Sequence, residues 1–277
     1  MLRLYIKRLL KNKSGVFGLG LIVFLLLMAL AAPLLVPQDP LQQNLKERLQ
    51  APSLLHWLGT DDLGRDLLSR LIYGSRVSLL VGFIAVTLST LLGSFVGLCA
   101  GYLGKWVDSA CMRAVDILLC FPTFFLILMV IAFLEPNIAN VMIIIGLTSW
   151  TGLARLVRAE TLSIKERDFV LAARALGLST KRILFFHILP SVSAPIIVSA
   201  TLGVGNAILI ESSLSFLGLG VQPPMPSWGN ILTSGKDYIH FAWWLSLFPG
   251  LALLFTVLAF NLLGEGLRDV LDPRDQS

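Results

Sequence analysis

The sequence predicts an all-α integral membrane protein with six transmembrane helices. Of its 277 residues, 56% are apolar and only 14% are charged, whereas soluble domains carry about 25% charged residues. The mean hydropathy of +0.80 indicates that most of the chain is solvated by lipid. Long runs without a charged residue divide the chain, and such runs are typical of helices that cross a bilayer.

Six of seven uncharged runs are long and apolar enough to be spans of about 20 residues. The seventh run, Ser212–Gly235, carries three glycines and three prolines between residues 218 and 229. Lipid-exposed backbone cannot leave its amides unpaired, so this run is predicted to end span five and continue as a loop. The predicted spans are Gly15–Val36, Val77–Gly104, Ile117–Leu134, Pro136–Ala154, Ile188–Ile210 and Tyr238–Gly264.

The basic residues orient these spans. If the N-terminus is cytoplasmic, 16 of the 22 Lys and Arg residues lie inside and 6 lie outside. Cytoplasmic loops carry such an excess, so both termini are predicted to be cytoplasmic, and the basic charge does not indicate nucleic acid as a partner. The first span could instead be a signal peptide, but its 22 uncharged residues exceed the 7–15 of a signal peptide's apolar region.

The sequence contains no motif for catalysis, metal binding or cofactor binding. The three histidines are far apart, neither H-E-x-x-H nor G-x-S-x-G occurs, and the three cysteines lack zinc or redox spacing. The segment Gly229–Asp237 resembles a phosphate loop, but it has an extra residue between its glycines and Asp in place of the magnesium-binding Ser or Thr. If the protein uses ATP, another polypeptide must supply the site.

The loop between spans four and five, residues 158–187, carries a mixed pattern that a simple turn does not need. Apolar or small residues recur at helical spacing from Phe169 to Leu176, and Gly177 is a good residue to end a helix. The small Ala172 and Ala173 would let another surface approach closely. This segment is therefore predicted to be a helix that projects into the cytoplasm.

A second short helix is predicted after the glycine. Ser179 or Thr180 can cap its start, it runs through Phe186, and Pro190 breaks it. Alternatively, the whole loop is solvated and packs only on its own membrane domain. The residue pattern leaves both interpretations open.

Two carboxylates lie in or at the edge of predicted spans, Asp116 in span three and Glu211 in span five. Acidic residues inside a membrane are costly and are candidates for function. They could line a polar pathway for a cation, such as a metal ion or an ammonium group, across the membrane. They could also hydrogen-bond to a neighbouring span or to a partner subunit, and for Glu211 this structural role is favoured.

Two further patterns have both a structural and a functional interpretation. Gly93, Gly97 and Gly101 form a small-residue face that suits either packing within the chain or an interface with another membrane subunit. His56 with Asp61–Asp62 suggests a metal site, but the pattern more strongly favours a stabilised turn or a contact with another protein.

The string L-A-A-x3-G-x9-H-I-L-P at residues 171–190 resembles the E-A-A-x3-G-x9-I-x-L-P loop of ABC importer permeases. It departs from that consensus at Leu171, where the family has Glu, and at His187, where it has Ile. The resemblance implies that this loop docks in a groove of a cytoplasmic ATPase subunit. The coupling residues it implies are Leu171, Ala172, Ala173, Gly177, His187, Leu189 and Pro190.

Three further segments are similar to the dipeptide, oligopeptide and nickel permeases of this class. They lie at residues 56–71, 211–229 and 261–273, so the resemblance covers nearly the whole chain. The order of the motifs resembles the second, C-type permease subunit. The implied fold is a type I importer permease (MetI-like) core with cytoplasmic coupling helices.

The resemblance also implies a domain organisation. Residues 1–75 would hold the N-terminal cytoplasmic tail, the first transmembrane helix and an extracytoplasmic loop. Residues 76–268 would form a five-helix permease core with its coupling loop at about 158–190. Residues 269–277 would be a cytoplasmic tail.

The family works as an assembly, and the implied partners are a second permease subunit in a heterodimer, two ABC ATPase subunits and an extracytoplasmic solute-binding protein. The chain itself would hold no cofactor, because ATP and magnesium bind to the ATPases. The implied location is the cytoplasmic (inner) membrane of a prokaryote, and the implied substrate is a dipeptide, an oligopeptide or nickel. A self-contained secondary transporter or channel is the alternative, but the chain has no convincing internal repeat and only two embedded acids.

Overall fold

The structure is a computed structural model that describes residue 8, residues 10–135 and residues 137–271. The predicted tail 269–277 is thus described only as far as Leu271, where the last helix ends. Shorter elements are two 3-10 turns, Leu45–Glu47 and Lys236–Tyr238, and a π-helical segment, Leu184–Ile188. The α-helices are α1 (Lys13–Leu30), α2 (Ala32–Leu35), α3 (Leu67–Leu103), α4 (Lys105–Leu119), α5 (Thr123–Ala132), α6 (Ile138–Thr148), α7 (Thr151–Ile164), α8 (Asp168–Ala175), α9 (Thr180–Ile183), α10 (Leu189–Phe216), α11 (Trp228–Gly235) and α12 (Trp244–Leu271).

Within the described ranges, five helical segments are long and apolar enough to cross a membrane, and a bent pair makes a sixth if it counts as one span. The five are α1, α3, α6 with α7, α9 with α10, and α12. The pair α4 and α5 bends by 81° next to Pro122, which has no backbone N–H for a helix. The all-α membrane prediction is confirmed, but the predicted span Ile117–Leu134 is not one straight helix.

Two predicted spans begin at other residues than expected. Helix α3 starts at Leu67 rather than Val77, because the side chain of Asp66 caps it by accepting a hydrogen bond from the backbone of Ser69 at 2.8 Å. Its 37 residues extend over about 55 Å, so part of the helix must project beyond a hydrocarbon core of about 30 Å. Helix α12 starts at Trp244 rather than Tyr238, since the chain before it forms turns.

The glycine face of α3 packs within the chain. A Cβ atom at Gly97 would lie 2.6 Å from the carbonyl oxygen of Ala154 on α7, and one at Gly101 would lie 2.7 Å from the Cβ of Thr161. A Cβ atom at Gly93 would meet the carbonyl oxygen of Trp150, just before α7, at 2.8 Å. Small residues thus let α3 and α7 approach closely, which favours the first of the two interpretations.

The loop predicted after span five is partly a helix. Helix α11 begins with a capping box, in which the side chains of Ser227 and Asn230 bond each other's backbone N–H. Trp228 is fully buried and its indole N–H donates to the carbonyl oxygen of Leu71 at 3.1 Å. The prediction of an irregular segment through Gly235 was therefore wrong for its second half, which folds back onto α3.

Candidate coupling site

Helix α8 is anchored to the membrane domain by two apolar side chains. Val170 and Ala173 are buried, with 0% and 4% of their surface exposed. They lie three residues apart and so share one side of the helix. They belong to an apolar cluster with residues of α3, α7, α9, α10 and the π-helical segment: Leu98, Val157, Ile164, Ile183, Leu184, Ile188 and Val192.

The rest of α8 and the turn after it are exposed and largely apolar. Phe169 and Leu171 are each 42% exposed, Leu176 is 80% exposed, and Ala172 is also exposed. We call these four residues the apolar coupling face. An apolar surface rimmed by polar residues marks an interaction site. Ala173 does not belong to it, so the expected Ala-Ala surface is reduced to Ala172.

The C-terminus of α8 is fixed by a Schellman motif. The backbone N–H of Leu178 donates to the carbonyl oxygen of Ala173 at 3.2 Å, and that of Gly177 donates to Arg174 at 2.9 Å. Gly177 has a φ of +74°, a conformation that residues with a Cβ atom adopt at a cost. The prediction that Gly177 ends this helix is confirmed, and the motif holds Leu176 in its exposed position.

The second helix does not end at Pro190. Helix α9 passes through the π-helical segment into α10, which forms one continuous segment from Thr180 to Phe216. The N–H of Leu189 donates to the carbonyl oxygen of Leu184, five residues earlier. The predicted break was wrong because Pro190 lies in the first turn of α10, where a missing N–H costs little after the wider π turn.

The expected coupling residues fall into two groups. Leu171, Ala172, Ala173 and Gly177 lie on α8 or the turn that ends it, whereas His187, Leu189 and Pro190 lie on the helix that continues into span five. In the second group, Pro190 is exposed and the other two are half-buried.

Polar contacts join α8 and the turn before it to the end of α3. The ammonium of Lys165 donates to the carbonyl oxygen of Gly101 at 3.2 Å. The Nε of Arg174 donates to the hydroxyl of Tyr102 at 3.3 Å, and the guanidinium lies 4.8 Å from the centre of the tyrosine ring. These contacts link α8 and the turn before it to the last turn of α3.

The two embedded acids differ in burial and in their partners. The Asp116 side chain is 57% exposed and forms an ion pair with Arg155. Glu211 is fully buried, and its carboxylate accepts a hydrogen bond from Ser215 at 2.7 Å and one from Ser212 at 3.4 Å. The hydroxyl of Thr233 on α11 donates to the backbone carbonyl oxygen of Ser215 at 3.0 Å, which ties α10 to that helix beside Glu211 and supports its structural interpretation.

Sequence reasoning missed a buried ionic cluster at the other end of α3. One Asp61 oxygen accepts the backbone N–H groups of Leu63 and Arg65, each at 2.9 Å. The other accepts the Arg65 Nε at 2.7 Å and lies 3.4 Å from the Arg70 Nε. All three charged side chains are at least 92% buried. In the sequence, the available signal was an aspartate followed by a glycine and two arginines within ten residues, at Asp61, Gly64, Arg65 and Arg70.

His56 belongs to the same turn. Its Nδ1 lies 3.0 Å from the Oδ1 of Asp66, whose other oxygen caps α3. The indole N–H of Trp244 donates to the carbonyl oxygen of Thr60 at 3.1 Å, which ties the turn to α12. Among the described residues, no group of three His, Cys, Asp or Glu side chains is placed to hold a metal ion. These contacts support the stabilised-turn interpretation.

The spanning helices, with the short and partly exposed helix α8 packed against α3, α7 and α10, define a polytopic membrane protein. Among solved structures, the chain is similar to a chain of the MetNI methionine ABC transporter in inward-facing conformations. The TM-score is 0.59 and the identity 20%, over 74% of this chain and 98% of that chain. At this identity the likeness shows the fold, which is the expected MetI-like fold.

Family models then specify the protein further. The model of the binding-protein-dependent transport system inner membrane component matches residues 89–275, and the model of the N-terminal TM domain of oligopeptide transport permease C matches residues 1–52. The chain belongs to the family of binding-protein-dependent transport system inner membrane components. It is a C-type permease, a transport component rather than an enzyme.

Two relatives show how extensive the similarity is. The dipeptide transport system permease protein DppC of Alkalihalophilus pseudofirmus is 47% identical over 98% of this chain and 89% of its own length. The di/tripeptide transport system permease protein DppC of Pseudomonas aeruginosa is 45% identical over 95% of this chain and 89% of its own. The alternative of a self-contained transporter or channel finds no support in these matches.

Proposed function

We propose that this permease imports dipeptides or short oligopeptides. It works beside a second permease subunit, with two ATPase subunits that bind ATP and magnesium and with an extracytoplasmic solute-binding protein. Relatives whose names specify dipeptide or di/tripeptide transport match nearly the whole chain, which supports peptides over nickel. The excess of basic residues on one side supports a multi-pass orientation in the inner membrane with both termini cytoplasmic.

The observation that carries the coupling role is the apolar coupling face. It leaves Phe169, Leu171 and Leu176 exposed on a short helix whose buried side is fixed to the membrane domain. Burying such side chains against a partner contributes about 1.5–3 kcal/mol each. An ATPase that binds this face more tightly in one of its two states can therefore supply the free energy of the transport cycle.

The contacts of α8 would transmit a movement of the ATPases to the spanning helices. Arg174 joins α8 to the end of α3, as does Lys165 in the turn before it. The glycine face of α3 is packed too closely on α7 for the two helices to slide apart easily. The apolar cluster of Val170 and Ala173 joins it to α10. Helices α3, α7 and α10 then move as one body when the ATPases close.

The substrate is tested in the complete transporter. The five-component complex is reconstituted in vesicles, and ATP-driven uptake of a labelled neutral dipeptide, glycyl-leucine, is compared with uptake of Ni²⁺. We expect dipeptide uptake that unlabelled dipeptide abolishes and that Ni²⁺ leaves unchanged. Uptake of Ni²⁺ without uptake of any dipeptide would contradict the proposed substrate. A vesicle with an ATPase variant that binds but does not hydrolyse ATP is the control.

A further inference from the structure

A small polar cavity lies between α3, α6–α7 and α10, with a volume of about 150 Å³. Five of its lining side chains carry a hydroxyl or an amide: Ser89, Thr90, Ser149, Ser199 and Asn206. The other lining residues are glycine, alanine, valine, isoleucine and leucine. The cavity is therefore polar but carries no charge on its walls.

The cavity lies about midway along three spanning segments. Its lining residues come from the central turns of three spanning segments: residues 85–90 of α3, residues 145–153 of α6–α7 and residues 199–207 of α10. Polar side chains that face lipid at this depth are costly, and they usually face a partner or a water-filled path instead. Five of them in one cavity indicate a place where hydrogen-bonding groups are used.

Asn206 is the most informative of these residues. It is exposed although its helical neighbours Ala207 and Ile208 are buried, so its side chain faces the open side of α10. An asparagine amide offers two donors and two acceptor sites, which match the N–H and C=O groups of a peptide bond. Gly203, one turn earlier, has no side chain and therefore leaves space in the cavity beside Asn206.

We propose that the cavity is a contact point for the peptide bond of the substrate on its way across the membrane. This inference rests on the proposed import of peptides. A divalent metal would require carboxylate, imidazole or thiolate ligands, and the walls have none. Since pockets for whole ligands measure about 300–1,000 Å³, this cavity holds one peptide unit while the rest of the peptide extends through its open side.

Paired variants in the reconstituted complex test this assignment. Asn206→Leu removes the amide at similar size, and we expect glycyl-leucine uptake to fall about tenfold while the complex still assembles. Gly203→Ala adds a methyl group in the cavity, 3.4 Å from the nearest atom of Val86, and its matched control Gly205→Ala adds one against α12, 3.5 Å from Val257. Only Gly203→Ala should raise the KM for the dipeptide.

Two outcomes would overturn the proposal. One is normal dipeptide uptake by an assembled Asn206→Leu complex. The other is loss of the second permease from that variant on purification, because the amide would then serve the contact between permeases. Neither outcome affects the proposed substrate, since wild-type uptake of dipeptide and Ni²⁺ decides that question separately.

A labelling experiment gives a readout besides transport. In a background with Cys99, Cys111 and Cys120 replaced by alanine, Thr90→Cys is compared with Thr87→Cys, which lies exposed on α3 but outside the cavity. We expect a small water-soluble thiol reagent to label Thr90→Cys, and glycyl-leucine with its binding protein and ATP to slow that labelling. Labelling that the dipeptide leaves unchanged would contradict the assignment.

Discussion

The proposed coupling segment, residues 168–178, and the predicted outside segment, residues 56–70, are called the coupling segment and the outside segment. They lie at opposite ends of α3 and differ in which kinds of residue they bury. The coupling segment buries two apolar side chains and exposes the apolar coupling face. The outside segment buries Asp61, Arg65 and Arg70 in mutual contact. The buried charges hold the outside segment in one conformation. The exposed apolar residues of the coupling segment offer a surface that the proposed ATPase partner can cover.

This difference shows that residue type alone does not locate function in a membrane permease. The charged residues of the outside segment form a turn, and removing one of them would leave others buried without a partner. The apolar residues of the coupling segment resemble core residues in sequence, yet they are held at the surface by a two-residue anchor and a Schellman turn. Paired substitutions in the two segments can test this contrast.

The largest effect is expected in the outside segment. Asp61→Asn removes the charge that compensates Arg65 and Arg70 inside the protein, and breaking a buried ion pair costs about 3–5 kcal/mol. Asp62→Asn is the matched control, because the Asp62 side chain is 30% exposed and lies 3.7 Å from Arg65, where a pair contributes at most about 1 kcal/mol. Thermal unfolding in detergent should show a large fall in Tm for the first variant alone. Equal Tm values would refute the structural role of the cluster.

The next effect is expected at the apolar coupling face, on partner affinity rather than stability. Leu176→Asp removes an exposed leucine whose burial against a partner contributes about 1.5–3 kcal/mol, so we expect at least roughly tenfold weaker binding of the ATPase. Leu54→Asp is the control, because Leu54 is 98% exposed and lies just before the outside segment. Titration of the permease pair with purified ATPase measures both. Similar affinities in the two variants would count against the coupling face.

A smaller effect is expected on α3 between the two segments. Gly97→Ala places a Cβ atom 2.6 Å from the carbonyl oxygen of Ala154, and such overpacking costs about 1–3 kcal/mol. Gly20→Ala on α1 is the control, since a Cβ atom there has no neighbour within 4 Å. Chemical unfolding in mixed micelles should separate the two variants, and a stable Gly97→Ala protein would show that α3 and α7 are not packed rigidly.

The smallest effect is expected at the end of α8. Gly177→Ala forces a Cβ atom into a left-handed conformation, which costs about 1–2 kcal/mol locally, whereas Gly152→Ala in α7 has an ordinary helical backbone and open space around it. Hydrogen exchange of the amides of residues 170–178 should rise in the first variant alone. Unchanged exchange would mean that the Schellman motif does not hold the coupling segment.

Much of this architecture could be predicted from the sequence. The uncharged runs located the spans because a helix in lipid must satisfy its own backbone, and Gly177 marked a helix end because only glycine takes that conformation cheaply. The start of α3 was missed because its first turns contain charged and polar residues, which end an uncharged run. Hydropathy also carries no information about a helix cap such as Asp66. The passage through Pro190 was missed because a π turn is set by packing and not by residue type.

The candidate site was only partly predictable. Pattern and family resemblance predicted the helix of the proposed coupling loop and its end at Gly177. Ala172 and Ala173, however, are adjacent alanines, and only tertiary packing decides that one is exposed and the other buried. The polar cavity collects residues from three helices that are far apart in sequence. Its serines and Asn206 carry no local signal, because each alone is compatible with ordinary helix packing.

The most direct test of the coupling face is disulfide trapping in the assembled transporter. In the background without native cysteines, Leu176→Cys is paired with single cysteines in the groove of the ATPase. Leu54→Cys, just before the outside segment, serves as the control. The account predicts rapid cross-linking of Leu176→Cys whose yield changes when ATP is added, and none from Leu54→Cys. An assembled, transporting complex in which Leu176→Cys never cross-links to the ATPase, or in which Leu54→Cys does, would contradict it.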